Sequence, residues 1–207
     1  LTRWSKDHLT LSSSLAERID EDIRHASTLL RIVAAQPAFA GLPERSRIDR
    51  SINGLPEHLD RDKRRLLESL RSEGPFSVLF VLTPEGDHYI SHPFAVQRSL
   101  KKYNLSDRLY FQAATRSCDL VISDSFIGAD GIPAIAINIP VLDETGKIIL
   151  HVGGVMHLSK LSRLLARPNI QPFDQATLID RQGKRIAATD MELDTARGAT
   201  DAAEPLR

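Results

Sequence analysis

The sequence predicts an α+β fold in which one long N-terminal helix precedes antiparallel sheet. Three observations predict it. Apolar residues recur every three or four positions between Trp4 and Ala35, the stripe of an amphipathic helix. From Phe76 onward the pattern turns to β-rich runs joined by short connections, which suit antiparallel and not parallel pairing. A strand, a turn ending in glycine and a return strand then occur three times, at Gly86, Gly146 and Gly183.

Composition sets the outer bounds. With 207 residues, 42% hydrophobic and 26% charged, the chain can bury a core and is no disordered, collagen-like or disulfide-scaffold sequence. The 27 Lys and Arg balance 27 Asp and Glu, so no global field draws in a polyanion, which argues against a general nucleic-acid binder. Cys118 is the only cysteine; it makes no intrachain disulfide and is expected to be a small buried hydrophobe. No apolar run approaches the ~18 to 20 residues of a membrane span, and the N-terminus lacks the marks of a signal peptide. Because the chain begins at Leu1, not Met, and stops mid-pattern after Pro205, it is read as a piece of a longer protein.

The first element carries Leu11, Leu15, Ile19, Ile23, Ala26, Leu30 and Val33 on its stripe and ends at Pro37. At 1.5 Å per residue it spans on the order of 45 Å, more than one small core needs, so it is expected to project or to pair with a second copy. Pro43, Asn53-Gly54 and Pro56 break the next stretch into turns, with one short helix expected around Ser46 to Ile52. A second helix is expected from Asp60, its cap, to Arg71, with Leu66, Leu67 and Leu70 inward and Lys63, Arg64, Arg65 and Arg71 solvated.

Strands are then expected at Phe76 to Leu82 and His88 to His92, followed by a helix within Tyr103 to Arg116 capped by Ser106 or Asp107. A further strand runs from Leu120 to Phe126. Pro133 to Val141 alternates Ile135, Ile137, Ile139 and Val141 with Ala134, Ala136 and Asn138, one apolar face of a sheet, with helices gathered on one side. Its return strand, Lys147 to Val152, leads to a short helix at Leu158 to Leu165 and a linker at Pro168 and Pro172. The hairpin of Ala176 to Ile179 and Lys184 to Ala188 repeats the first one, the turn glycines lying 97 residues apart (183 − 86), as in a duplicated module.

The ordered runs Leu105-Ser106-Asp107-Arg108-Leu109-Tyr110-Phe111-Gln112, Val121 to Gly128, Ile137-Asn138-Ile139-Pro140-Val141 and Val152-Gly153-Gly154 resemble double Cache sensor domains, with the similarity extending over about Trp4 to Asp190. These are the PAS-like extracytoplasmic regions of bacterial and archaeal chemoreceptors, sensor histidine kinases and diguanylate cyclases. The resemblance implies a juxtamembrane, dimerising helix at 1–36, a membrane-distal PAS-like module at 37–166 that holds a ligand, and the start of an incomplete membrane-proximal module at 167–207. It further implies a membrane-spanning parent with its sensor outside the cytoplasm; the stripe of the helix makes a homodimer through it the expectation, and no cofactor or, for want of any catalytic device, enzymatic activity is expected in this domain.

Family members that bind amino acids carry a Tyr, an Arg followed by Trp-Tyr, a Tyr-x-Asp and an Asp after the final Gly-Gly. Here Tyr103 and Arg108 fit this pattern, Tyr110 and Phe111 stand for Trp-Tyr, Phe126 and Gly128 for Tyr and Asp, and Val155 for the last Asp. Both acids that would hold an ammonium group are gone, whereas the carboxylate side survives, because Arg108 offers a charged two-pronged donor and Tyr103 and Tyr110 offer hydroxyls. A small, anionic organic ligand is therefore expected. Strand alternation adds His151, Gly153 and His157 to the face of Val155, and Ser123, Asp124 and Asn138 complete the candidate ligand contacts. For each there is an ordinary alternative: an ion pair of Arg108 with Asp107, Asp119 or Asp124, plain packing of the aromatics, a solvated His151.

Other classes lack their devices. His88 and His92, read as sharing one strand face, stand about 13 Å apart, too far to chelate one metal. No Gly-x-Ser-x-Gly elbow, Walker loop or dinucleotide fingerprint occurs. The competing reading is a Cache-like module kept as a rigid spacer and dimerisation element, its pocket empty or collapsed.

Overall fold

A computed structural model describes residues 3–160, 177–179, 183 and 185–188. The chain divides into two compact units, Arg24–His157 and a second made of Leu1–Ile23 with Leu158–Arg207. Helix α1 covers Arg3–Ala34, as its periodicity predicts. Within the larger unit Ala26, Leu30 and Ala34 are buried at intervals of four, so one stripe faces the core while Arg31 and Ile32 stay exposed.

The connector differs from expectation. In place of one short helix at 46–52 it makes two single 3-10 turns, Arg45–Arg47 and Arg50–Ile52. The Asp49 carboxylate accepts from the Ser51 N–H and hydroxyl, and Asn53 turns left-handed at φ 52°, so a local side-chain bond displaces the helical ladder. Helix α2, Arg61–Glu73, follows, but Asp60 does not cap it. Its carboxylate is drawn inward, where Oδ2 takes Lys63 Nζ at 2.7 Å and the Tyr89 hydroxyl at 2.7 Å.

Lys63 is consequently buried, not solvated, with Nζ 5.9 Å from the Phe39 ring and 5.7 Å from the Tyr89 ring. Arg64 is engaged too, donating to the carbonyls of Leu55, Pro56 and Leu59, and Arg71 donates to that of Ser77. Of the basic run Arg65 and Arg71 keep to the wet face as expected, Arg65 at 75% exposure beside Asp62.

The sheet is antiparallel in every pairing. Strands β1 (Val78–Leu82), β2 (His88–His92), β3 (Val121–Ile122), β4 (Phe126–Ile127), β5 (Pro133–Leu142) and β6 (Ile148–His157) lie in the order β2-β1-β6-β5-β3, with β4 also on β5. The strand expected from Leu120 to Phe126 is split in two. Between its halves the Ser123 hydroxyl accepts from the Ala136 N–H, breaking the regular ladder.

Helices cover both faces rather than one: α2 contacts β1 and β2, whereas α4 (Leu109–Ser117) packs Tyr110 and Phe111 on the opposite side with Phe80, Ala136 and Val155. Ser106 and Asp107 leave the start of α4 uncapped. Instead Asn104 Oδ1 takes the Ser106 N–H and hydroxyl, closing a turn before the helix begins. A short α3 (Phe94–Ser99) precedes that turn, and Cys118 ends α4 in a left-handed cap at φ 52°, exposed where a buried hydrophobe was expected.

Gly153 and Gly154 let two aromatic rings lie on the sheet from opposite sides. A Cβ on Gly153 would overlap the Phe80 ring, and one on Gly154 would overlap Phe76. In the second unit β7 (Thr177–Ile179) and β8 (Arg185–Ala188) pair antiparallel. Their turn glycine, Gly183, has φ 78°, matching Gly86 at 88° and Gly146 at 83°, so the three-fold turn pattern rests on one backbone requirement. Most of the helix expected at 158–165 and the Pro168–Pro172 linker lie outside the described residues.

Candidate functional site

A cavity of about 20 Å³ opens between α4 and the sheet. Its wall is apolar, with Val78 and Phe80 from β1, Val155 from β6, Leu105 before α4, and Tyr110 and Phe126. This follows from parity. Val78, Phe80 and Leu82 are alternate residues of β1 and meet Ala134, Ala136 and Val155 in one buried cluster.

Arg108 sits at the N-terminal edge of α4 with its guanidinium carbon 5.2 Å from the Phe126 ring centroid. Its Nε is buried and has no hydrogen-bond partner among the described residues. Of the acids that could neutralise it, Asp107 pairs with Lys102 while still feeling the Arg108 charge, and Asp119 pairs with Arg31 at 2.9 Å. Tyr110 stacks obliquely on Phe126 at 5.2 Å, and burial pushes its hydroxyl pKa upward, so it remains a neutral donor.

Two buried histidines face the same side. His88 lines the cavity, with Nδ1 2.9 Å from Ser91 Oγ, and burial holds the imidazole neutral, its pKa lowered to about 3. The expectation that His88 shares a face with His92 fails because the register shifts between Val81 and Leu82. Leu82 pairs with His88 and Phe80 with Ser91, which sets His88 beside Ser91 on the pocket face, and His92, opposite Leu79, on the other. His151 stacks on Phe111 at 4.4 Å with Nδ1 3.2 Å from Asn138 Nδ2; burial lowers its pKa to about 4.

The structure brings an acid to the cavity that the sequence reading did not single out. Asp130 lines it, two residues beyond the Gly128 that stands where the family has its Asp. Both its oxygens are used: Oδ2 meets His157 Nε2 at 2.8 Å and Oδ1 accepts from the Ile132 N–H. Those hydrogen bonds hold its pKa below the ordinary carboxylate value against the opposing effect of burial. The parity that put His157 on the face of Val155 was the one signal for this pair.

Of the sequence candidates, Tyr110, Phe126 and Val155 line the cavity, Arg108 abuts it through Phe126, and Phe111, Asn138 and His151 continue the same sheet face. Tyr103 is not brought in; its ring stands 5.2 Å from the Arg50 guanidinium. Ser123 spends its hydroxyl on the Ala136 N–H, and Asp124 is exposed. Among the described residues no group of three or more His, Cys, Asp or Glu side chains could hold a metal ion, and no helix is long and apolar enough to cross a membrane.

The helix and sheet arrangement is that of the ligand-binding domains of chemoreceptors, the double Cache fold. The ligand-binding domain of the Pseudomonas aeruginosa PAO1 amino acid chemoreceptor PctC, in complex with GABA, is similar at TM-score 0.65 and 18% identity over 96% of this chain and 85% of that one. The ligand-binding domain of Campylobacter jejuni Tlp3 with L-valine gives 0.63 and 18% over 91% and 72%. That of Pseudomonas fluorescens CtaA with L-isoleucine gives 0.62 and 17% over 92% and 73%. No family model and no curated protein matches the sequence.

Proposed function

We propose that this chain is the extracytoplasmic ligand-sensing domain of a membrane-spanning signalling receptor, and that its distal module, 37–166, binds a small carboxylate-bearing molecule at Arg108. The observation that carries the reading is the buried Arg108 Nε, without a partner among the described residues, beside an apolar cavity. A guanidinium is charged at every physiological pH, and a planar carboxylate is the group that meets its fork with two bonds. The ligands of the similar PctC and Tlp3 domains, GABA and L-valine, also carry a carboxylate.

The amine side is weaker here. Gly128 and Val155 have no charge, so an ammonium would find a single acid on the cavity wall, Asp130, whose charge is already shared with His157 and the Ile132 N–H. An acid without an adjacent amine fits better. The domain is read as non-enzymatic. Its buried Ser91–His88 pair resembles a nucleophile and base, yet among the described residues no carboxylate orients the imidazole, and at a pKa of about 3 it is too weak a base.

Signalling requires the ligand to prefer one conformational state. Helix α1, by this proposal the dimerisation element, is the part that would shift, by about an ångström or two, against its copy in a partner. The output module, whether histidine kinase, diguanylate cyclase or chemoreceptor signalling domain, belongs to the rest of the parent protein.

One observation favours a second reading, a spacer with a collapsed pocket: the cavity of about 20 Å³ has room for roughly one water. A thermal-shift screen against organic acids, amino acids, purines and amines separates the two, since a ligand of the native state raises the melting temperature. We expect an organic acid to do so. Arg108→Ala should then weaken it by at least about tenfold, with Arg108→Lys recovering part. A flat response to all four classes would leave the spacer.

A further inference from the structure

Four buried side-chain atoms lack a hydrogen-bond partner among the described residues: His88 Nε2, Arg108 Nε, Asn138 Oδ1 and His151 Nε2. All four belong to the pocket side of the sheet, around Phe80 and Phe111. Buried polar atoms are nearly always satisfied, so each of these four calls for a partner from outside the chain, a water or a ligand group.

His88 is the informative member because its hydrogen can be placed. The Ser91 hydroxyl is its partner at Nδ1. Were Nδ1 to donate to that oxygen, the hydroxyl hydrogen and the Nε2 lone pair would both be stranded. With the hydroxyl donating to Nδ1, only Nε2–H is left over, and this arrangement strands fewer groups. His88 is 2% exposed and stands edge-on to the Phe80 ring at 6.3 Å, so it offers a single uncharged N–H donor in a cavity whose one charged wall residue is Asp130.

We propose that His88 is a ligand-contacting, specificity-determining residue whose Nε2–H receives a carbonyl or hydroxyl oxygen of the small acid held by Arg108. This rests on the reading of the pocket as a carboxylate site and narrows it. The class becomes a short monocarboxylate bearing a second, uncharged oxygen, as opposed to a plain fatty acid, which would leave the N–H dry. A dicarboxylate is disfavoured as well, since a second anion would meet a neutral imidazole and the Asp130 carboxylate.

The test is titration calorimetry of the 207-residue chain with two matched pairs of probes, propionate against lactate and butyrate against 3-hydroxybutyrate. At least one oxygenated acid should bind about tenfold or more tightly than its plain partner, because a buried donor left unpaired discriminates strongly. His88→Phe should shrink that ratio below about threefold, whereas Arg108→Ala should weaken both members of the pair alike. In case His88→Phe does not fold, the ¹⁵N resonance of His88 Nε2 in the native protein gives the same answer: it should shift with the oxygenated acid and stay still with the plain one. Equal affinities within both pairs, a ratio unchanged by His88→Phe, or an unmoved Nε2 signal overturns this inference and leaves the carboxylate reading standing. Binding of none of the four acids overturns both.

Discussion

Acidification should destabilise this domain through two particular side chains, His88 and His151. Both are buried and neutral in the fold, with pKa values lowered to about 3 and about 4, whereas each returns to about 6.5 when the chain unfolds. Below about pH 6.5 the unfolded state therefore binds two protons that the folded state refuses, so stability is complete above that pH and falls as pH drops towards the folded values. Each residue contributes a slope of about 1.4 kcal/mol per pH unit in that window. Between about pH 8 and pH 5 the loss comes to about 2 kcal/mol per histidine and about 4 kcal/mol for the pair. The figure depends only on both groups staying unprotonated at pH 5. Desolvation also lowers the pKa of His92, in the same direction, while the depressed carboxylates such as Asp130 act below this window. Urea unfolding followed by circular dichroism at pH 8 and pH 5 measures the difference within each variant, so any baseline cost of a substitution cancels. His88→Gln and His151→Gln should each remove about half of the pair's contribution, and the double variant should remove all of it. If either single variant keeps the full wild-type pH dependence, that imidazole is protonated in the fold and its assignment as a neutral buried group is wrong.

Further outcomes follow from the same geometry. Lys63→Met leaves Asp60 buried with a single hydroxyl donor, and breaking such a pair should cost about 3 kcal/mol or more by urea unfolding, whereas Arg65→Met on the wet face should leave the midpoint unchanged. Gly153→Ala forces the Phe80 ring off the sheet towards the cavity, so it should lower the melting temperature, by an overpacking cost of about 1 to 3 kcal/mol, and also abolish any thermal shift by organic acids. Gly154→Ala should destabilise through Phe76 on the opposite face and leave the ligand response in place. Tyr103→Phe should leave ligand affinity unchanged within about twofold, because that ring sits on Arg50 and not on the cavity; a larger loss would place Tyr103 in the site.

The sequence by itself determined the features whose causes are local. The stripe of α1, the turn glycines at 86, 146 and 183 and the alternation of β5 and β6 depend on residues within a few positions of one another, and each was legible at its place. So was the shared face of Val155 and His157, since strand parity needs no tertiary knowledge. What only the tertiary structure decided depends on distant partners. Asp60 and Lys63 read as a cap and a wet lysine until Tyr89, far along the chain, draws the carboxylate inward. One bulge between β1 and β2 moves His92 to the opposite face and seats His88 against Ser91, and no local pattern signals it. Asp130 lines the cavity with its carboxylate on His157 of β6, and Tyr103 stays off the cavity wall with its ring against Arg50. Periodicity tells a side chain which face it lies on. Which face becomes a pocket, and which polar atoms are left there without a partner, is settled by what the rest of the chain lays over it.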